Sequence, residues 1–360
     1  MKILIFSDRA NGGAGNVATA QSKELSRQGG EVRLLTAESL PDYSERFRNW
    51  RMLWNLAGIR LVRKTLIEFK PDIVHCHNIH EKFSFAVLRL AKQSGAKIFL
   101  TAHDTYLFYP AKSLGDRACL SARQVTKWQE LHRFRFRYNP FRNFVAKHYL
   151  KYVDRVFAVS DALGQALREH GIENTTLHNG IDVSRWLVDE AKVSEFKTRY
   201  NLVGKRVILW VGRLSGAKGG AVLPNIMREV SDKIPNVHLF AIGGETRLKN
   251  DEMPFAYAAA DVVIVPSVYL DPFPTVVLEA GASGRPVVVT NMGGAKEAVV
   301  EGETGYVADP CSSDFAERVI ELLRNPEQAR AIGEKARGHI AQNFSLKRQM
   351  QVLSSWYNQL

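Results

Sequence analysis

Asp271 and Glu279 stand eight positions apart, on either side of what reads as the start of a helix. The run before them, Asp261–Val265, is apolar and β-branched, the pattern of a buried parallel strand, and Pro266 and Ser267 end it. A loop carrying Asp271, Pro272, Phe273, Pro274 and Thr275 leads into a predicted helix, Val276–Ser283, closed by Gly284. A strand-loop-helix turn directs free backbone N–H groups beyond the strand end, and the helix dipole favours an anion there. The carboxylates add nothing to anion binding by charge. They accept hydrogen bonds from hydroxyls instead. A ligand with both a phosphate and hydroxyls is a nucleotide sugar, and Pro274, Thr275, Val276 and Glu279 are the candidate donor-binding residues.

Two further clusters point to the same chemistry. Arg213 and Lys218 are five apart on a loop between a predicted strand, Arg206–Val211, and a predicted helix, 221–230. Arg offers a planar fork and Lys a point charge, which together can neutralise a diphosphate. Near the N-terminus, Lys2–Phe6 reads as a strand and Asn11-Gly12-Gly13-Ala14-Gly15 as a loop before a helix over 16–28. Gly13 and Gly15 would let backbone approach a ligand closely. The spacing is not that of the dinucleotide fingerprint, which disfavours a nicotinamide dehydrogenase.

Histidines mark the ends of two more predicted strands. His75 and His77 share a face of one, followed by His80; His103 and Asp104 follow another, Ala96–Thr101, with Tyr106 beyond. The carboxyl ends of parallel strands are where α/β proteins bind ligands. The three histidines lack the carboxylate or Cys that usually completes a close-spaced metal set, and no metal or other cofactor is expected.

The combination Asp271-x7-Glu279, Gly284-Arg285-Pro286-Val287 and Gly293-Gly294-x-x-Glu297 resembles the C-terminal signature of family 4 retaining glycosyltransferases, of the GT-B fold. The first acid is Asp where that family usually has Glu, one methylene shorter. The resemblance implies an α/β fold of two Rossmann-like domains with parallel sheets facing a central cleft. It implies that His103 contacts the donor sugar, that Gly13 and Gly15 lie beneath the donor diphosphate, and that Arg213 and Lys218 bind it. His77, Asp104 and Tyr106 would border the acceptor side. It further implies transfer with retention by a leaving-group-assisted, same-face mechanism. Catalysis would rest on His103, Asp271, Arg213 and Lys218, with Glu279 on the ribose hydroxyls.

Length fits two domains, read as 1–182 and 183–343, with a terminal helix, 344–360, packing back on the first. Between the predicted strands 236–242 and 261–265 there is room for a turn and one short helix only, so the second domain is shortened by about one strand-helix unit. This keeps open a degenerate relative that binds a nucleotide sugar or a membrane without turnover; a sugar-nucleotide epimerase is another alternative.

No apolar run is long enough to cross a bilayer, Lys2–Phe6 is too short for a signal peptide, and Cys76, Cys119 and Cys311 show no paired spacing, as expected of a cytoplasmic protein. The net charge of +12 is concentrated. Residues 112–155 hold eleven Lys or Arg against three acids, interleaved with eight Trp, Phe or Tyr. This pattern suits an anionic membrane surface better than a nucleic acid, although a solvated helix pair would look similar. The expected partners are therefore a nucleotide sugar (UDP- or GDP-linked), a lipid-linked oligosaccharide acceptor and the inner face of the cell membrane, in cell-surface polysaccharide or lipopolysaccharide synthesis.

Overall fold

The computed structural model describes all residues except 11, 42–46, 81, 110–131, 133–138, 214–215, 245, 312 and 360. Most of the basic aromatic segment over 112–138 lies outside the described residues. Among the described residues the chain forms two compact units, one holding the residues up to 178 together with 350–360, the other 179–349.

The first unit is built on six parallel strands: β1 (Lys2–Ser7), β2 (Glu31–Thr36), β3 (Ile73–His77), β4 (Lys97–Ala102), β5 (Arg155–Ala158) and β6 (Thr175–Thr176). Their order is β2-β1-β3-β4-β5-β6. Ile3–Phe6 are wholly inaccessible because helices cover both faces of a parallel sheet. The helix Leu346–Asn358 supplies Met350, Leu353 and Tyr357 to this core.

The second unit has five parallel strands: β7 (Arg206–Val211), β8 (Val237–Ile242), β9 (Val262–Val265), β10 (Val287–Thr290) and β11 (Gly305–Ala308), in the order β11-β10-β9-β7-β8. The crossover from β8 to β9 passes through a single short helix, Met253–Ala259, so the sheet closes with one strand fewer than the first and β8 is its edge. On one face Ile208, Trp210, Ile264 and Val288 pack with Phe315, Val319, Leu323 and Ile332.

One local reading of the sequence needs correction, and one strand has no counterpart in it. The first helix starts at Gly13, not after Gly15, and runs to Arg27. Gly12 precedes it at φ +84°, and the Asn16 N–H already bonds the Gly12 carbonyl at 2.7 Å. Gly15 is thus a helical residue, and a Cβ there would meet the Arg9 carbonyl oxygen at 2.5 Å. Strand β11 carries no alternating or long apolar signal; it forms because it pairs in register with β10, Val287 opposite Gly305.

Gly219 sits at φ +83°, where an added Cβ would lie 2.0 Å from the Pro266 carbonyl oxygen. Gly219→Ala should therefore lower unfolding free energy by at least about 1–3 kcal/mol from backbone strain alone. Urea titration against the parent protein checks this, and an unchanged midpoint would contradict it.

Candidate active site

In the second unit β8 lies beyond β7 on one side, and β10 beyond β9 on the other. The chains leaving β7 and β9 therefore diverge, and a crevice opens past the carboxyl ends of this neighbouring pair, the place where open α/β sheets bind ligands. The loop after β7 carries Lys218 in a short 3-10 turn, Gly216–Lys218. The loop after β9 carries Ser267, Tyr269 and Asp271.

The two loops are bonded to each other. The Val268 N–H donates to the Ala217 carbonyl at 3.0 Å, and the Trp210 Nε1–H to the Lys218 carbonyl at 3.2 Å. Across them, Lys218 Nζ donates to Asp271 Oδ2 at 2.6 Å, and the Ser267 hydroxyl donates to the same oxygen at 3.0 Å. Asp271 is buried, and its backbone carbonyl accepts the Gly294 N–H at 2.8 Å. Gly293 must be glycine: at φ +69° a Cβ would lie 2.3 Å from the Asp271 carbonyl oxygen. The Lys218 ammonium also sits 5.4 Å from the centre of the Tyr269 ring. Burial opposes its charge, but Asp271 and Tyr269 outweigh this and hold the ammonium protonated above its ordinary range.

The helix that follows, Thr275–Ala282, is preceded by Pro274 as N-cap and has no side-chain cap. Its first N–H groups, at Thr275 and Val276, thus keep the positive end of the helix available to an anion. Glu279 projects from this helix and accepts the Tyr257 hydroxyl at 2.5 Å. Burial raises its carboxyl above the usual range, with the bonds from Tyr257 and Thr275 opposing. Tyr257 is itself fully buried, edge-on to Trp186 at 5.1 Å. Arg213, just after β7, is exposed.

In the first unit the strand order reverses between β1 and β3, and the corresponding residues gather past β1, β3 and β4. His77 Nδ1 and His103 Nε2 are 2.8 Å apart. His75 is bonded at both nitrogens, Nε2 to Thr101 Oγ1 at 2.7 Å and Nδ1 to the Tyr357 hydroxyl at 2.6 Å. His80 Nε2 approaches Asp104 Oδ2 at 3.4 Å and its ring lies 4.1 Å from that of Tyr106. Asp104 in turn accepts the Tyr106 N–H at 3.0 Å, which fixes the turn after β4. Gly13 and Gly15 open the helix that follows β1.

Spacing brought Asp271 and Glu279 to one loop and helix, but not Lys218 to Asp271; that contact requires β7 and β9 to be neighbours. Ser267, Tyr269 and Tyr257 carried no spacing signal. Tyr257 in particular lies on the short crossover helix and reaches Glu279 only after folding.

Comparison with known proteins agrees with the geometry. Residues 11–185 match the model of Glycosyltransferase Family 4, and 246–339 that of Glycosyl transferases group 1. The chain belongs to this glycosyltransferase family. It is similar to spore coat protein SA of Bacillus subtilis (strain 168), 27% identical over 57% of this chain and 65% of that one. The match therefore spans just under two thirds of that relative. Among solved structures, sucrose-phosphate synthase from Thermosynechococcus elongatus superposes with a TM-score of 0.79 at 18% identity, covering 99% of this chain and 98% of the other. Anabaena HepE, solved in complex with UDP-glucose, superposes with a TM-score of 0.75 at 18% identity over 100% of both chains. Their likeness establishes the GT-B fold, two Rossmann-like units with parallel sheets.

The histidines of the first unit make folding sensitive to acid. Burial first, then the His103 charge, lowers His75 from 6.5 to about 3; burial, then His80, lowers His103 to about 3; burial holds His77 well below 6.5. Groups depressed on folding stabilise fully above their unfolded value and lose that contribution as pH falls through the folded one. Stability from urea unfolding should accordingly fall between pH 6.5 and about 5, above the ordinary carboxylate range. A flat profile across that window would contradict neutral, buried imidazoles.

Proposed function

We propose that the protein transfers a sugar from a nucleotide-diphosphate sugar to a hydroxyl of a lipid-linked glycan, without a metal and with retention at the anomeric carbon. The observation that carries the donor assignment is the Lys218–Asp271 pair at 2.6 Å, in the β7/β9 crevice beside an uncapped helix start. The leaving diphosphate gains negative charge in the transition state, and fixed donors aimed at that charge are the main available source of rate. Lys218, exposed Arg213 and the N–H groups of Thr275 and Val276 are such donors. Asp271, held by Ser267 and the Gly294 N–H, is placed to accept sugar hydroxyls, and Glu279, one oxygen tied to Tyr257, to accept ribose hydroxyls. His103 is the proposed sugar contact among the histidines. That HepE was solved with UDP-glucose is in keeping with a donor of this class.

One observation favours a second reading. The β8–β9 crossover is a single helix and leaves β8 as the sheet edge, so the base-reading part of the unit is reduced, and a nucleotide-sugar binder without turnover has the same loops. A thermal-shift panel of UDP, GDP, ADP and their sugars separates these. A ligand at one hundred times its Kd adds about 2.7 kcal/mol, a shift of several degrees. We expect a shift for one base, lost in Lys218→Ala together with sugar transfer. Binding without turnover selects the second reading, and no shift with any nucleotide overturns both.

The acceptor side is inferred from an exposed surface on the first unit. Phe141 is 65% and Phe144 75% exposed, and Trp54, on a segment ninety residues earlier, is 65% exposed. The stretches are joined: Asn139 Nδ2 donates to the Asn49 carbonyl at 3.3 Å and Arg142 Nε reaches Met52 Sδ at 3.2 Å. Arg142 is buried and adds no surface charge, but Lys147, Lys151, Arg60, Arg63 and Lys64 are exposed. Residues 46–67 and 139–153 contain no Asp or Glu. Lys64 is paired with Glu68 at 3.8 Å, and the remaining exposed cations with the aromatics fit the headgroup region of an anionic bilayer, where a lipid-linked acceptor would be presented, at the inner face of the cell membrane. The double variant Phe141→Ser, Phe144→Ser should lose about tenfold or more in partition to phosphatidylglycerol vesicles. Equal sedimentation of variant and parent would remove the membrane assignment.

A further inference from the structure

We infer that His77 is a positioning residue: by donating its Nδ1–H to Nε2 of His103, it holds His103 as the tautomer protonated at Nδ1. The argument is one of proton placement. The two nitrogens are 2.8 Å apart, a distance that requires one hydrogen between them. Both rings are neutral near pH 7, because burial lowers both. Each neutral imidazole carries one N–H, so only two arrangements exist.

If His103 donated, the proton of His77 would sit on Nε2. That atom is buried and has no hydrogen-bond partner among the described residues. The rings near it, His75 at 4.4 Å and His103 at 5.1 Å between centroids, offer it no acceptor: His75 is engaged at both nitrogens and His103 at Nε2. A buried N–H without an acceptor is rarer and costlier than a buried lone pair without a donor. In the other arrangement His77 donates from Nδ1 and leaves only a lone pair at Nε2. The unpartnered atom therefore decides the direction of the bond.

The consequence reaches the reaction face. With Nε2 of His103 occupied as an acceptor, its proton lies on Nδ1, which no described residue engages. His103 then offers a neutral N–H donor and cannot serve as a base from that atom. A donor of this kind suits a substrate oxygen, such as a sugar hydroxyl. This last step rests on the proposed role of His103; the tautomer itself does not.

The test uses nitrogen-15 long-range correlation spectra of the histidine rings in the full chain, without substrate, followed by transfer assays. Asn places an amide donor near the Nδ1 position, and Leu fills similar space without one. We expect His103 protonated at Nδ1 in the parent and in His77→Asn, and a mixture or the Nε2 form in His77→Leu. Transfer should fall roughly 10- to 100-fold in kcat for the Leu variant, the range seen when an orienting partner is lost, and recover most of the way in the Asn variant. An Nε2-protonated His103 in the parent, or an unchanged tautomer in His77→Leu, overturns the inference. A tautomer that shifts while kcat stays constant leaves the bond assignment standing and overturns the role of His103 in transfer. Circular dichroism confirms that each variant is folded, and if the Leu chain is not, the parent and Asn spectra still decide the tautomer.

Discussion

Everything chemical in this protein depends on parallel strands that end flush on one side and change direction of winding partway across the sheet. Parallel pairing forces each connection to return over a face, so all loops at the carboxyl ends collect together. Where the order reverses, neighbouring loops part and leave room. In the second unit this happens between β7 and β9, and the parted loops are the ones carrying Lys218 and Asp271. In the first it happens between β1 and β3, beside the glycines at 12–15 and the histidines at 75 and 77.

The energetics of the two clusters differ. Lys218 and Asp271 are a charged pair, and such a pair survives burial only with further hydrogen bonds; Ser267 supplies one. The pair keeps an ammonium charged and fixed at the mouth of the crevice, where the proposed function places a diphosphate. The histidines solve the opposite problem. They are kept neutral, and their direction of donation is set by which nitrogens find partners: Thr101 and Tyr357 for His75, His103 for His77. One site stores charge, the other stores proton position.

The shortened β8–β9 crossover has a structural solution as well as a functional risk. The Gly243 N–H donates to the Thr246 carbonyl at 2.9 Å, and at Gly243, with φ +106°, an added Cβ would lie 2.3 Å from the Gly212 carbonyl oxygen. The chain thus turns sharply and enters the helix Met253–Ala259, which delivers Tyr257 to Glu279. The segment that looks like a deletion in sequence is the one that orients a candidate ribose ligand.

By itself the sequence determined most strands of the two parallel sheets, because those strands are short apolar runs bounded by turn residues such as Gly, Pro or Asp. It also put His75 and His77 in the last residues of β3, Lys218 and Asp271 on the loops after β7 and β9, and Glu279 on the helix beyond, since each is read in order along the chain from an apolar run. Contacts between distant segments were decided only by tertiary structure. Lys218 meets Asp271 across 53 positions, Tyr257 meets Glu279 across 22, and His75 meets Tyr357 across 282. Strand β11 and the burial of Arg142 belong to the same class. A strand of four residues exists only through its neighbour, and a cation is buried or exposed according to what packs on it, neither of which local periodicity can encode.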